Sequence, residues 1–509
     1  LKHYLAAFEA PADTSRYKLA ALREAADLAL TEDRWGRDAP ILLRAREAGV
    51  AVNVPWRFEA MARAFDLVGG EAARNGLLDA HANLPGTLTY SHLYDVVDTP
   101  DIAFDYLIDE VLPTRSPYTA ENRLLMLGTS LSAGGMERIF ANSFRAVRAS
   151  GLFDEVRMAL LNFEPGASTA FFAPEAGEAP EAIAVLDNTG EPAFPISLLP
   201  VGLARRVWAA YGLILAERPR VIHAWNDLPG AIAAFAGLLA GCPRIFIHFH
   251  HMRAINLSSD RNLIRSYPAC YRRLIERPEI RLLFVAEAAA TDYADWWGVE
   301  RTPMFQRLYN GFTEIDPPAV DTGTLKESLG LPTGVAIVGT VFRFDPVKRP
   351  WLWIDAAAAV AAARPDVAFV MVGGGARWEE ARARVAELGL TDRFIFPGQV
   401  RNVPDYLACF DLFMLTSRVE GLPNSLIEAQ LAGVPVITAD VGGAGETFLA
   451  DVSGRLVVDA DAERLASAAL ACLDDPAWMA TARAASREQA MRRFGIDTYL
   501  SNLLRLYSE

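Results

Sequence analysis

Between residues 12 and about 113, apolar positions recur at the three- and four-residue spacing of helices, in segments such as 17–30, 40–48 and 55–67 that are rich in Ala, Leu, Arg and Glu. No strand-like run interrupts them, so a helical domain is predicted over 1–120. It shows no clean repeat period. Two readings of it stand open: a structural cap, or a docking or oligomerisation surface. At Arg123 the texture changes to short apolar runs alternating with helical stretches, the pattern of a parallel sheet flanked by helices. Strands are predicted at 124–127, 156–161, 182–186, 221–224, 244–249 and 282–285, and helices at 136–149, 203–217, 230–239 and 286–297. The stretch 163–200, dense in Pro, Gly, Ala and Glu, predicts an irregular excursion.

A second series opens near Gly334, with strands predicted at 335–341, 367–372, 394–396, 412–415 and 434–438. A final helix over 496–507 places Tyr499, Leu500, Leu503, Leu504 and Tyr507 on one side and is predicted to pack back across the structure. The fold expectation is therefore α/β: two Rossmann-like units at 121–312 and 313–490 facing a cleft, preceded by the helical domain and followed by a terminal helix at 491–509. In such sheets ligands bind beyond the carboxyl ends of the strands, so chemistry is sought in the loops that follow them.

Composition narrows the classes. At 509 residues, with 52% hydrophobic positions, the chain exceeds a single core. Its 49 Lys and Arg against 63 Asp and Glu, net charge −14 without a basic run, argue against a general nucleic-acid binder. Cys242, Cys270, Cys409 and Cys472 are far apart and show neither disulfide nor zinc spacing, which fits a reducing cytoplasm. Apolar stretches such as 230–240 are broken by Gly or Pro, and no transmembrane helix is predicted. The chain begins at Leu1, which leaves a removed targeting segment open.

The segment 417–429, Ser-Arg-Val-Glu-Gly-Leu-Pro-Asn-Ser-Leu-Ile-Glu-Ala, follows an apolar strand and enters a helix. Gly421 allows close backbone approach, Pro423 suits a first turn, and the N–H groups of Asn424, Ser425 and Leu426 would form an anion-attracting helix N-terminus. Glu420 and Glu428 bracket that terminus, so one carboxylate can reach a sugar and the other a ribose. The competing reading is a helix-start charge and a solvated face residue. A second segment, 338–350, sets Arg343 and Lys348 around an Asp345-Pro346 turn at the end of a strand, where both cations could neutralise a diphosphate. Surface solvation competes there too.

In their order along the chain these pieces resemble the family 4 glycosyltransferases, retaining enzymes of the GT-B fold. The resemblance runs from about Leu124 to Val458. It takes in Gly134-Gly135-x-Glu137, Asn310-Gly311, the Arg343/Lys348 pair, Gly373-Gly374-Gly375, Phe396-Pro397-Gly398, the Glu420/Glu428 pair, Gly433-x-Pro435-Val436 and Gly442-Gly443. It implies that Arg343 and Lys348 bind the donor diphosphate and that Glu428 binds the ribose. By the same resemblance Glu420 holds the transferred sugar, with Gly421, Leu422, Asn424 and Ser425 beside it. The loop 398–402, with Val400 and Asn402, would face the nucleobase, and Gly134 and Gly135 would approach from the other unit. Phe342 before Arg343 and Ala286-Glu287 depart from the family pattern, which usually has Gly and a Ser-Glu pair there.

Of the histidines in 246–251, His248 and His250 face one way along a strand and His251 the other. The family has a histidine near the end of this strand, and His250 is its expected equivalent, with His251 able to substitute; a metal pair competes, without an Asp or Glu nearby in sequence to complete it. His223 reads as a satisfied residue near the sheet's edge. The resemblance implies transfer of a hexose or related sugar from a nucleotide sugar, foremost a UDP-sugar, to a glycan or glycoconjugate acceptor, with no metal or other cofactor expected. Cytoplasmic location, with peripheral contact at the inner face of the membrane left open, is the matching expectation. A nucleotide-sugar epimerase on the same fold, or a binding scaffold, are the alternatives.

Overall fold

The computed structural model describes residues 107–508 except 188, 191, 194–195, 197–198, 200, 254–260, 316–317 and 319–320. The helical segments expected at 17–30, 40–48 and 55–67 lie outside the described residues. Two all-parallel sheets organise the rest. The first contains β1 Glu121–Gly128, β2 Glu155–Leu160, β3 Ala184–Val185, β4 Pro219–Trp225, β5 Ile245–Phe249, β6 Ile280–Phe284 and β7 Phe305–Arg307, in the order β3-β2-β1-β4-β5-β6-β7. The second contains β8 Ala336–Val341, β9 Val367–Val372, β10 Phe394–Gly398, β11 Leu412–Leu415, β12 Val436–Ala439 and β13 Gly454–Val457, in the order β10-β9-β8-β11-β12-β13. Each order reverses beside its first strand, and at that switch point the loops after neighbouring strands splay apart to open a crevice.

Both faces of each sheet are covered, which is why β5, β9, β11 and β12 are buried at every position. Leaving single turns aside, the covering helices of the first unit are α1 Gly135–Ala149, α2 Val201–Glu217, α3 Asp227–Ala240, α4 Arg261–Leu274 and α5 Glu287–Trp297. Those of the second are α6 Thr322–Ser328, α7 Pro350–Ala363, α8 Trp378–Glu387, α9 Val403–Cys409, α10 Asn424–Leu431 and α11 Ala462–Leu473. None of the described helices is long and apolar enough to cross a membrane.

The chain crosses between the units twice, side by side. On the way out Phe312 donates its N–H to Phe494 O (2.8 Å), and on the way back Ile496 donates to Phe312 O (2.8 Å). The return begins in α12 Pro476–Phe494 and continues in α13 Ile496–Ser508. Ala490, Phe494, Tyr499, Leu503, Leu506 and Tyr507 all join the hydrophobic core of the first unit. Helix α10 is shared in the same way: Ile427 and Leu431 pack into the first core, Leu426 and Ala429 into the second.

Several elements were not foreseen from the sequence, among them β7, β13, α4, α6, α11 and α12. Strand β7 has three residues, β13 opens on Gly454-Arg455 instead of an apolar run, and α4 carries Pro268 inside it, an ordinary helix breaker. His223 corrects an expectation. It sits on β4, the central strand of seven, fully buried, with Nδ1 2.6 Å from the Tyr507 hydroxyl. A crossover connection placed β4 beside β1, and strand order of that kind leaves no mark on local periodicity.

Candidate functional site

The second unit's wall is built where β8 and β11 end. Asp345 accepts the N–H groups of Val347 and Lys348, both at 3.0 Å, and this side-chain turn aims Lys348 across the loop. Lys348 Nζ lies 2.5 Å from Glu420 Oε1, and Glu420 is 9% exposed. Arg349, in the left-handed region at φ 50°, donates from Nε to Thr416 O (2.6 Å) and from Nη2 to Ser417 O (3.1 Å), tying the two loops together. Arg343 stands out from the wall with its side chain 75% exposed, paired at 3.2 Å with Asp345. Gly373 and Gly375, at φ +133° and +147°, back this loop: a Cβ on Gly373 would fall 1.9 Å from Phe342 O. Their part is support for the Arg343 loop.

Helix α10 starts at Asn424 with Pro423 as its cap and no side-chain oxygen on its first amides. The N–H groups of Asn424 and Ser425 are left without intrahelical acceptors, the arrangement that favours an anion. Gln430 anchors the helix from below, donating to Leu426 O (3.0 Å) and Thr447 O (2.9 Å) and accepting from Ser453 and Gln489. Leu422 is buried in the first unit's core, so its place is packing. Glu428 forms an ion pair with Arg138 of α1, on the opposite unit. The two line a cavity of about 370 Å³ together with Asn142, Thr313, Val403 and Leu407.

Within the loop expected to face a base, Val400 packs against the second core, and Asn402 donates to Asp405 at 3.1 Å. The Arg401 guanidinium lies over the Phe171 ring at 5.7 Å, a contact across the mouth of the cleft.

The first unit meets this wall closely. Gly134 caps α1, and Glu137 folds back so far that a Cβ at 134 would meet its Oε2 at 2.1 Å. Burial pushes the Glu137 carboxyl upward, while its own backbone amide and the Arg343 charge across the cleft pull it down. A Cβ at Gly135 would lie 2.9 Å from Asn424 Nδ2, and Asn310 donates to Asn424 Oδ1 at 2.9 Å. Gly421 approaches from the other side, where a Cβ would stand 2.7 Å from both His250 O and His251 Cα. Gly443 donates its N–H to Glu420 O (3.1 Å), and a Cβ on Gly442 would sit 2.0 Å from that same oxygen.

The two candidate histidines differ in surroundings. The His250 ring stacks on Trp225 (centroids 4.1 Å, 12°) and lies 4.0 Å from the His248 ring. Burial, and then the neighbouring imidazoles, hold it well below the usual histidine range, with Asn310 acting against that shift. His251 Nε2 lies 3.3 Å from Asp227 Oδ2, which also accepts the Tyr293 hydroxyl at 2.9 Å. Asn226, at φ 71°, accepts the His250 N–H at 3.0 Å and fixes the end of β5.

Arg138, Asn226 and Asp227 escaped the sequence reading. Asn226-Asp227 follows directly on β4, the position where a loop residue at a switch point is informative. Arg138 adjoins the Gly134-Gly135-x-Glu137 turn but carries no spacing signal of its own. Chemically, the wall carries Arg343, Lys348 and a helix N-terminus opposite the Gly134-Gly135 turn, with the Glu420 and Glu428 carboxylates held in ion pairs to Lys348 and Arg138. That combination can hold a phosphorylated leaving group and orient a polyol beside it.

Parts of this chain are similar to known proteins. Residues 321–493 match the family model Glycosyl transferases group 1. The Vi polysaccharide biosynthesis protein VipC/TviE of Salmonella typhi is 35% identical over 252 residues, covering 48% of this chain and 42% of that protein. The lipopolysaccharide core biosynthesis mannosyltransferase LpsB of Rhizobium meliloti is 32% identical over 187 residues, 35% of this chain and 53% of that protein. The chain thus spans about half the length of these curated relatives. Among solved structures, HepE of Anabaena in complex with UDP and glucose superposes with a TM-score of 0.63 at 24% identity, over 76% of this chain and 100% of that one. Sucrose-phosphate synthase of Thermosynechococcus elongatus gives 0.61 at 22%, over 76% and 98%. These likenesses establish the GT-B fold.

Proposed function

We propose that this chain, whose residues 321–493 are a group 1 glycosyltransferase domain within a GT-B fold, is a retaining glycosyltransferase. It moves a hexose or related sugar from a nucleotide diphosphate sugar, foremost a UDP-sugar, to a glycan, glycolipid or other glycoconjugate. One observation carries the reading: Lys348 pairs with Glu420, which leads directly into the open N-terminus of α10, and Gly135 of the other unit stands against Asn424 there. Among the relatives, an Escherichia coli galactosyltransferase named for UDP-Gal supports the nucleotide, and a Corynebacterium glutamicum enzyme named as GDP-mannose-dependent sets the competitor.

In this reading Arg343, Lys348 and the amides of Asn424 and Ser425 neutralise the diphosphate, and Glu428 takes the ribose hydroxyls once Arg138 yields them. Glu420 orients the transferred sugar, and His250 with the Gly134-Gly135 turn shapes the acceptor side. The bond from the anomeric carbon to the phosphate oxygen breaks while the acceptor oxygen bonds to that carbon on the same face. The acceptor proton passes to the departing phosphate, so neither a strong base nor a metal is required. Charge stabilisation by preorganised groups supplies the rate, and closure of the two units keeps water from the donor.

Thermal stabilisation by UDP, GDP, ADP and CMP in parallel tests this first, because a ligand of the folded state raises apparent stability without any acceptor. The expected result is a shift with UDP that is lost in Arg343→Ala and Glu428→Ala. No shift with any nucleotide would overturn the reading.

A further inference from the structure

Helix α5 of the first unit lacks a cap of its own. Its N-cap residue is Ala286, which has no side-chain oxygen, so its leading amides need an acceptor from elsewhere. That acceptor comes from the second unit. Glu446 Oε2 accepts the N–H of Glu287 and Oε1 that of Ala288, each at 2.9 Å. The Tyr309 hydroxyl donates to Oε2 at 3.1 Å, and Arg493, on the returning helix, donates to Glu446 O at 2.6 Å. Arg493 in turn lies over the rings of Tyr309 (5.5 Å) and Phe494 (5.0 Å), next to both chain crossings.

The segment that carries this carboxylate is also the one that holds the Glu420 turn. Gly443, three residues before Glu446, donates to Glu420 O, and its missing side chain lets it pass Gly421 O and Ala286 Cβ at distances a Cβ would reduce to 2.0 and 2.6 Å. Gly421 in turn rests on the His250–His251 backbone.

We infer that Glu446 is a positioning residue for transfer: it caps a helix of the opposite unit and thereby sets the register between the Glu420 turn and the acceptor-side wall. A carboxylate suits both tasks, since it meets two amides and the positive end of the helix dipole at once. The inference rests on the proposed glycosyltransferase activity only for its kinetic consequence. The capping contact stands on geometry alone.

Two measurements separate the two. Amide hydrogen exchange at residues 287–288 is expected to accelerate at least about tenfold in Glu446→Gln and further in Glu446→Ala, while amides of β8 and β11 stay protected; unchanged exchange at 287–288 would overturn the cap. In transfer assays Glu446→Gln is expected to lower kcat by about tenfold and Glu446→Ala by about a hundredfold. The donor KM and the UDP-induced thermal shift should stay near wild type, and the ratio of donor hydrolysis to transfer should rise. A kcat equal to wild type in Glu446→Ala, or a loss confined to the nucleotide shift, would overturn the positioning role. Should the wild type transfer no sugar, the proposed activity fails while the exchange result still decides the cap.

Discussion

Lys348 Nζ and Glu420 Oε1 lie 2.5 Å apart, joining the loop after β8 to the loop after β11 across the switch point of the second sheet. Removal of either partner leaves the other charge largely desolvated.

Replacement of either residue is therefore expected to be severe. Lys348→Ala and Glu420→Gln should each lower kcat by at least about a hundredfold, the scale of losing one preorganised electrostatic group. The double variant should lose much less than the product of the singles, because the two act as a unit. Additive losses in a double-mutant cycle would show that they act separately.

Gly421 is a steric requirement at the seam between the units. Its Cβ would meet backbone, His250 O and His251 Cα, which cannot rotate away. Gly421→Ala should fold, bind UDP and lose transfer by about a hundredfold, as a misplacement near 1 Å in the reacting geometry does. Wild-type turnover would show that the cleft does not work in this closed arrangement.

The Arg138–Glu428 pair predicts competition. Arg138→Ala frees the carboxylate assigned to the ribose, so the UDP dissociation constant in calorimetry should fall by a few-fold while that of pyrophosphate is unchanged. Weaker UDP binding in this variant would instead assign Arg138 to the donor.

Stability should decline in mild acid. Burial holds His223 and His250 well below the unfolded value of 6.5 and His248 at about 3. Below pH 6.5 the unfolded chain takes up protons that the folded imidazoles refuse, so this stabilisation is complete above about 6.5 and is lost as pH falls toward 3. Between pH 7.5 and 5.5 His248 alone accounts for on the order of 1 kcal/mol. Asp227, raised by burial, acts in the opposite sense at lower pH. Urea midpoints measured across this interval should fall in the wild type and fall less steeply in His248→Gln; identical slopes would exclude a neutral His248.

Tyr507→Phe removes the partner of the buried His223 Nδ1 and should cost about 1–3 kcal/mol of stability. Calorimetric unfolding is the check, and an unchanged midpoint would mean that the contact contributes nothing net.

Periodicity and order along the chain were enough for much of this. Apolar runs such as 367–372 and 412–415 are strands with those same bounds, because a strand buried on both faces must be apolar throughout. The turn at Asp345 and the helix start at Asn424 were readable because local backbone chemistry governs them. Tertiary structure decided what depends on distance across the cleft. Strand order put His223 at the centre of the first sheet. Packing of α1 against α10 joined Arg138 to Glu428, and a helix with no cap of its own took Glu446 from the other unit. Propensity and spacing act over a few residues, whereas these pairings arise where the two sheets face each other, and the sequence carries no local mark of them.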